Sequence, residues 1–220
     1  MANSIERKYH VKIVYKGARY LAPDVFWKDY FQEADFLPTG KIVVEVGASI
    51  GLFAIVAAKF YQAEKVIAIE PDKESFSFLL KNLKINNLND KVIPLNIATF
   101  DIDGEIPLHL FLGAHPTKVL AKKLDSLVEE LNLNRVDLLT IDTEGSELNV
   151  LKGATSLLST LKPRIIVEVH SKQLREEVIR LLSSFGYVPV HEKINFFEPY
   201  TSVLYFKALS KNCALYELKM

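Results

Sequence analysis

From residue 41 to residue 209 the chain alternates two kinds of apolar pattern. One is a short run rich in Val and Ile with little alternation, found at residues 41–46 (KIVVEV), 65–70 (KVIAIE), 136–142 (VDLLTID) and 164–170 (RIIVEVH). Such runs suit parallel strands covered on both faces, where neither side of the pleat meets water. The other has helical spacing. Residues 72–86 place Phe76, Leu79, Leu80 and Leu83 on one face; residues 144–158 do so with Leu148, Leu151 and Leu158, and residues 173–185 with Leu174, Val178, Leu181 and Leu182. The last of these stops at Gly186, a residue suited to a left-handed C-cap. Strand and helix taken in turn predict a Rossmann-like α/β fold, with right-handed crossovers and helices on both faces of one sheet.

Two prolines order that sheet. Pro94, within residues 91–96, and Pro189, within residues 187–192, interrupt segments that otherwise read as strands. Proline cannot donate a ladder hydrogen bond, so both strands belong at edges. The last strand, residues 202–209 (SVLYFKAL), then lies inside. The predicted sheet has seven mostly parallel strands in the order 3-2-1-4-5-7-6, with strand 7 antiparallel. Residues 9–20 alternate loosely in the strand manner around Lys16-Gly17, and residues 23–36 are aromatic and helix-like. The expected division is an N-terminal cap over residues 1–39, a main domain over residues 40–210 and a tail over residues 211–220.

Charge narrows the partners. The 27 Lys plus Arg are matched by 27 Asp plus Glu, so nucleic acid and anionic membrane are not expected partners, although the first 20 residues carry five bases against one acid. The longest nearly apolar run, residues 46–58, is too short to span a bilayer. The opening MANSIERKYH lacks the apolar core of a signal peptide, which leads to an expected cytoplasmic location. Cys213 is the single cysteine, so no internal disulfide and no cysteine-rich zinc site are expected.

The sharpest local signal is Glu45-Val46-Gly47-Ala48-Ser49-Ile50-Gly51, which follows the first strand and opens a helix near Leu52. Glycines there let the backbone turn tightly and approach a ligand, and the helix behind presents free N–H groups. A dinucleotide fingerprint centred on Gly47 would need glycine where Glu45 and Ile50 stand, which weakens a nucleotide oxidoreductase reading. A P-loop would need Lys and Ser or Thr after Gly51, where Leu52 and Phe53 follow. An acid before the first glycine repels phosphate and suits a cation. Glu70 closes the second strand 19 residues after Gly51, where a carboxylate can accept two ribose hydroxyls. A ribose-bearing cation without phosphates fits S-adenosylmethionine.

The glycine motif, with an acid closing the second strand, resembles that of class I S-adenosylmethionine-dependent methyltransferases, and more narrowly the FkbM family. The matching segments are VEVGASIGLF (44–53), AIEPD (68–72), LNIATFDIDGEI (95–106), KKLDSL (122–127), VDLLTIDTEGSELNVLKGA (136–154) and RIIVEVH (164–170). The resemblance implies that Glu45, Gly47, Ala48, Ser49 and Gly51 lie around the methionine part of the cofactor. It implies further that Glu70 holds the ribose with Pro71 beside it, and that the backbone near Ile97 and Ala98 frames the adenine. Asp142 would face the methyl group or the acceptor. The activity implied is O-methylation of a hydroxyl on a small molecule or sugar-containing metabolite; a noncatalytic cofactor-binding or scaffold protein of the same fold is the alternative.

A hydroxyl acceptor needs its proton removed or its charge stabilised. Candidates stand at the carboxyl ends of the fourth and fifth strands: Asp142, Glu144 and His170 as catalytic groups, with Glu168 projecting on the same face as His170 to orient it as a base. Asp142, Glu144 and Glu168 also offer the oxygen ligands that Mg²⁺ prefers, while Glu144 alone reads equally as an acid in the first turn of its helix. His115, in Gly113-Ala114-His115-Pro116, falls in a loop, and Asp101-Ile102-Asp103-Gly104 reads as a hairpin turn rather than a calcium loop. Phe196, Phe197 and Tyr200 lie between the last two strands, as a hairpin tip packed on the domain or a contact to substrate or a second subunit of a homo-oligomer.

Overall fold

The computed structural model describes residues 2–14, 29–108, 117–194 and 200–209. Each apolar run distributes its side chains to two separate cores. In β1 (Ile42–Val46), Val43 enters one core and Ile42, Val44 and Val46 the other. The same division runs through β2 (Lys65–Ile69), β7 (Leu138–Ile141) and β8 (Arg164–Val169), so continuous hydrophobicity corresponds to a sheet sandwiched between helices. The first core is closed by α2 (Leu52–Lys59) and α3 (Lys73–Ile85), the second by α4 (Leu124–Glu130), α5 (Glu147–Lys152), α6 (Thr155–Thr160) and α7 (Lys172–Ser184). Asp72 and Ser171 cap α3 and α7, their side chains accepting from Ser75 N at 2.8 Å and Leu174 N at 3.1 Å.

With β3 (Val92–Leu95), β9 (Tyr187–Ile194) and β10 (Ser202–Ala208), the seven-stranded sheet runs β3-β2-β1-β7-β8-β10-β9, and β10 is antiparallel to both neighbours. This is the expected order. Both proline-bearing strands are edges, and β10 is interior. A second sheet, not expected, joins β4 (Ala98–Thr99), β6 (Thr117–Lys122) and β5 (Gly104–Leu108) in that spatial order. The turn at Asp101 to Asp103 connects β4 to β5, which flank β6 on opposite sides, so it is not a hairpin turn. Asp103 instead accepts from Lys123 N and Ser126 Oγ, both at 2.8 Å, and fixes the start of α4.

Three helical expectations change. Leu80 is 44% exposed, and Phe78 takes the inward place beside Leu79 and Leu83. The helix expected over residues 144–158 begins at Glu147, because Glu144 and Gly145 adopt positive φ of 55° and 117°, and it divides at Gly153. At the N-terminus a helix, α1 (Ala2–Tyr9), ends where the strand-like segment was expected to begin, and residues 10–14 form no strand. Residues 15–20, with the Lys16-Gly17 turn, and residues 23–28 lie outside the described residues, while the rest of the aromatic stretch forms 3-10 turns at Asp29–Phe31 and Ala34–Phe36. Asn82 on α3 and Asn86 at its C-cap bond both backbone groups of Val14 and of Lys12, respectively, through their side chains. Asn82 Nδ2 also donates to Ile50 O at 2.9 Å, tying this segment to the glycine loop. Phe31 stacks on Phe53 of α2 with ring centroids 4.9 Å apart, which seats the N-terminal segment on the first core. Among the described residues, no helix is long and apolar enough to cross a membrane.

Candidate functional site

The loop after β1 is shaped by close backbone approach. Gly47 has φ +87°, and a Cβ placed on it would lie 1.7 Å from the carbonyl oxygen of Asp142. Any side chain would push the end of β7 away from β1. Gly51, also at φ +87°, is the N-cap of α2 and faces Leu79 of α3. Between these glycines, Ser49 N donates to Glu70 Oε2 at 2.7 Å, and Asp72 N donates to Glu70 Oε1 at 2.8 Å. Burial raises the Glu70 carboxyl to about 7, against the pull of these two backbone donors.

A cleft opens beside this loop, lined by Gly47, Ala48 and Ser49 together with Tyr30, Glu45, Thr140 and Asp142. Three buried oxygens around it accept no hydrogen bond: Glu45 Oε2, Thr140 Oγ1 and Asp142 Oδ1. Burial lifts the Glu45 carboxyl well above the usual carboxylate range, the nearby Glu70 and Asp142 add to this, and a backbone bond from Ala54 opposes it. Unsatisfied carboxylate oxygens in a cleft with a helix N-terminus behind it suit a ligand carrying both cationic and anionic groups. S-adenosylmethionine has that character, and the residues present fit it. Ile97 packs its side chain into the second core and Ala98 pairs with Ala121 in the small sheet. Pro71 is half-buried outside the lining, joined through its carbonyl to Asn96 Nδ2 at 3.1 Å.

Next to the cleft, the ends of β7 and β8 bring Asp142, Glu144 and His170 together. His170 Nε2 stands 3.4 Å from Glu144 Oε2 and 3.7 Å from Asp142 Oδ1. Its other nitrogen, Nδ1, stands 3.2 Å from Oε1 of Glu147, whose side chain is 0% exposed. Glu147 Oε1 also accepts from Thr143 N at 3.1 Å and Gly145 N at 3.0 Å, which bends the chain so that Glu144 turns back over His170. The group facing His170 Nδ1 is therefore Glu147, not Glu168. Burial opposes a charge on His170, but Glu147, Asp142 and Glu144 outweigh it and push the imidazole up to about 9. Asp142 is pushed well above the usual carboxylate range by burial first and Glu168 second, with His170 pulling the other way.

Glu168 points elsewhere. Tyr30 Oη donates to Glu168 Oε2 at 2.8 Å, and burial raises this carboxyl to about 7. Of the three acids considered for a metal, Asp142 and Glu144 share a site with His170, and Glu168 is not part of it. Tyr30 and Glu147 escaped the sequence reading. Glu147 had a signal, since it is the third acid in Asp142-x-Glu144-x-x-Glu147; Tyr30 had none beyond its aromatic neighbourhood. Glu144 lies outside the helix it was expected to open, and its side chain is 84% exposed. His115, Phe196 and Phe197 lie outside the described residues, while Tyr200 is 73% exposed and not packed on the domain.

Comparison with known proteins follows the same lines. A family model described as the methyltransferase FkbM domain matches residues 45–189. The methyltransferase sdnD of Sordaria araneosa is 25% identical over 213 residues, covering 77% of this chain and 82% of that protein. The hexuronic acid methyltransferase AglP of Haloferax volcanii is 28% identical over 152 residues, covering 64% of this chain and 61% of its own length. The crystal structure of a methyltransferase FkbM from Methylobacillus flagellatus superimposes with a TM-score of 0.65 at 20% identity. That match covers 91% of this chain and 50% of the other, so this chain spans half of that protein's length.

Proposed function

The chain belongs to the FkbM methyltransferase family, and from that premise we propose that it methylates a hydroxyl of a small, sugar-containing or otherwise hydroxylated metabolite. Membership makes it an S-adenosylmethionine-dependent methyltransferase. The hydroxyl acceptor is the finer step, supported by the acidic cluster at the cleft and by a relative that acts, by its name, on a hexuronic acid.

When bound, S-adenosylmethionine supplies an electrophilic methyl group on a sulfonium. The turn at Gly47, Ala48 and Ser49 with the N-terminus of α2 would hold its methionine part, Glu45 its cationic side, and Glu70 its ribose hydroxyls. One observation carries the assignment of the reacting edge: the Asp142 carbonyl lies against Gly47, so the carboxylate of the same residue opens at the boundary between cleft and His170 cluster. Burial makes Asp142 a stronger base than a solvated aspartate, suited to receive the acceptor's proton at Oδ1. His170, held protonated near neutral pH, is not the base; it keeps a positive charge beside Asp142 and Glu144 and steadies the charge that develops as the hydroxyl reacts. Tyr30 and Phe53 cover the cleft and limit water. A Mg²⁺ held by three acids belongs to this reading only in altered form, because Glu168 is engaged by Tyr30.

Calorimetry with S-adenosylmethionine, followed by transfer of labelled methyl to a panel of uronic acids and hydroxylated metabolites, tests the proposal. Cofactor binding and label on an acceptor oxygen are expected, with Asp142→Asn reducing transfer about a hundredfold or more. A native protein that binds no cofactor sinks the enzyme reading. One that binds cofactor but never releases methyl is the noncatalytic alternative.

A further inference from the structure

We propose that Asp142, Glu144 and His170 form a seat for one divalent transition-metal ion of the Mn²⁺ class. Their donor atoms all lie within 4.8 Å of one another. Two donors at right angles around an ion about 2.1 Å away stand about 3 Å apart. The observed 3.4 Å and 3.7 Å separations from His170 Nε2 need only a side-chain adjustment to reach this.

Two further observations separate this cluster from an ordinary group of surface acids. First, His170 presents Nε2 to both carboxylates while Nδ1 faces the wholly buried Glu147. A carboxylate behind the far nitrogen is the arrangement that fixes the tautomer and orientation of metal-bound histidines. Glu147 Oε1, which faces Nδ1, is itself anchored by Thr143 N and Gly145 N, so the carboxylate that orients the imidazole is held in place. Second, Asp142 Oδ1, 3.7 Å from His170 Nε2, is buried and accepts no hydrogen bond. An imidazole among the donors moves the preference away from Mg²⁺, which favours oxygen ligands, and toward Mn²⁺ or its later neighbours. The ion would replace the proton on His170 as the positive charge beside Asp142. Under the methyltransferase reading, on which this consequence rests, it would bind the acceptor oxygen and ease loss of its proton, which passes to water, Asp142 then serving as a ligand rather than as the base.

The test uses the full chain, stripped with a chelator and titrated with Mn²⁺ alone, free Mn²⁺ being followed by its electron paramagnetic resonance signal. One site per chain is expected, with Mg²⁺ competing at least tenfold more weakly. The bound spectrum should show coupling to an imidazole nitrogen. Glu144→Gln, at an exposed position that leaves folding intact, should weaken Mn²⁺ at least tenfold, and His170→Gln should remove the nitrogen coupling; Glu105→Gln, an exposed acid elsewhere, should change nothing. No stoichiometric site, a site without nitrogen coupling, or binding indifferent to Glu144→Gln overturns the proposal. Calorimetry with S-adenosylmethionine on the same metal-free sample reports separately on the methyltransferase reading, so the two can fail independently.

Discussion

Gly47→Ala probes the contact on which the cleft is built, and Gly186→Ala supplies its control. Gly186 has φ +78° with nothing within 4 Å of its added Cβ, so alanine there meets only the left-handed backbone, at about 1–2 kcal/mol. Gly47 has a similar φ of +87°, but its Cβ would lie 1.7 Å from Asp142 O. Carbon and oxygen settle near about 3.3 Å, so about 1.6 Å must open between β1 and β7. Neither wall yields easily. Gly47 N and Ala48 N donate to Ile69 O at 3.0 and 2.9 Å, and Asp142 N donates to Val46 O at 2.9 Å. Overpacking of this kind adds about 1–3 kcal/mol to the backbone strain. For a chain of this size, thermal unfolding should fall by roughly 4 °C in Gly186→Ala and roughly 10 °C in Gly47→Ala.

The functional contrast should be larger than the thermal one. A displacement of about 1 Å at a reacting site costs about a hundredfold in rate. Gly47→Ala should therefore bind S-adenosylmethionine at least tenfold more weakly by calorimetry at 15 °C, where both variants remain folded, while Gly186→Ala binds as the native chain does. Equal affinity in all three proteins would mean that the Gly47 turn does not hold the cofactor.

Tyr30→Phe removes the donor to Glu168 within the first core, which should destabilise by about 1–3 kcal/mol at pH 8 and less at pH 5, where Glu168 is protonated; chemical denaturation at the two pH values checks this. Glu70, raised to about 7, binds its proton more tightly folded than unfolded, so its contribution to stability is full below about pH 4.5 and declines as pH rises through 7. Cofactor binding should run the opposite way, because ribose hydroxyls donate to the ionised form: affinity should fall as pH drops below 7 in calorimetry, and the slope should flatten in Glu70→Gln. Glu45→Gln takes a buried acid without a full set of donors out of the charge balance, so the melting temperature should hold or rise while cofactor affinity falls; a loss of stability with affinity retained would refute a ligand-facing role.

The central strands were legible because each must be apolar on both faces, and Pro94 and Pro189 marked the edges for a chemical reason that survives any tertiary context. The small sheet was not legible. β4 has two residues, β5 (GEIPL) contains both Gly and Pro, and β6 (TKVLAK) is mostly exposed, so none shows the expected run. The break at Gly153 was hidden because Leu148, Leu151 and Leu158 keep helical spacing across it. Glycine is needed there for a tertiary reason: a Cβ on Gly153 would lie 2.1 Å from the carbonyl oxygen of Phe100, in the turn after β4. Asp142 and His170 could be placed at strand ends from the pattern alone. Tyr30 could not, since it reaches Glu168 across 138 residues of sequence.

Charge distribution, rather than total charge, separates the acids of this neutral chain by role. Glu70 accepts two backbone N–H groups, Asp72 accepts one and the Ser75 hydroxyl, and Glu147 accepts two on one oxygen. Each of these acids holds a turn at the carboxyl edge of the sheet, and a fold would keep them even without a ligand. Glu45 Oε2, Asp142 Oδ1 and the second oxygen of Glu147 accept no such bond, yet they are buried at the same edge. A buried carboxylate oxygen without a donor costs stability. Under the proposed function, a ligand bound at this edge would bring positive charge to Glu45, while Asp142 already has His170 3.7 Å from Oδ1. In that function the sulfonium cofactor would answer for Glu45, on the glycine-loop side. Asp142 lies where the cleft meets His170, and in the proposed metal site a cation held with Glu144 and His170 would take over the charge that His170 now places beside it.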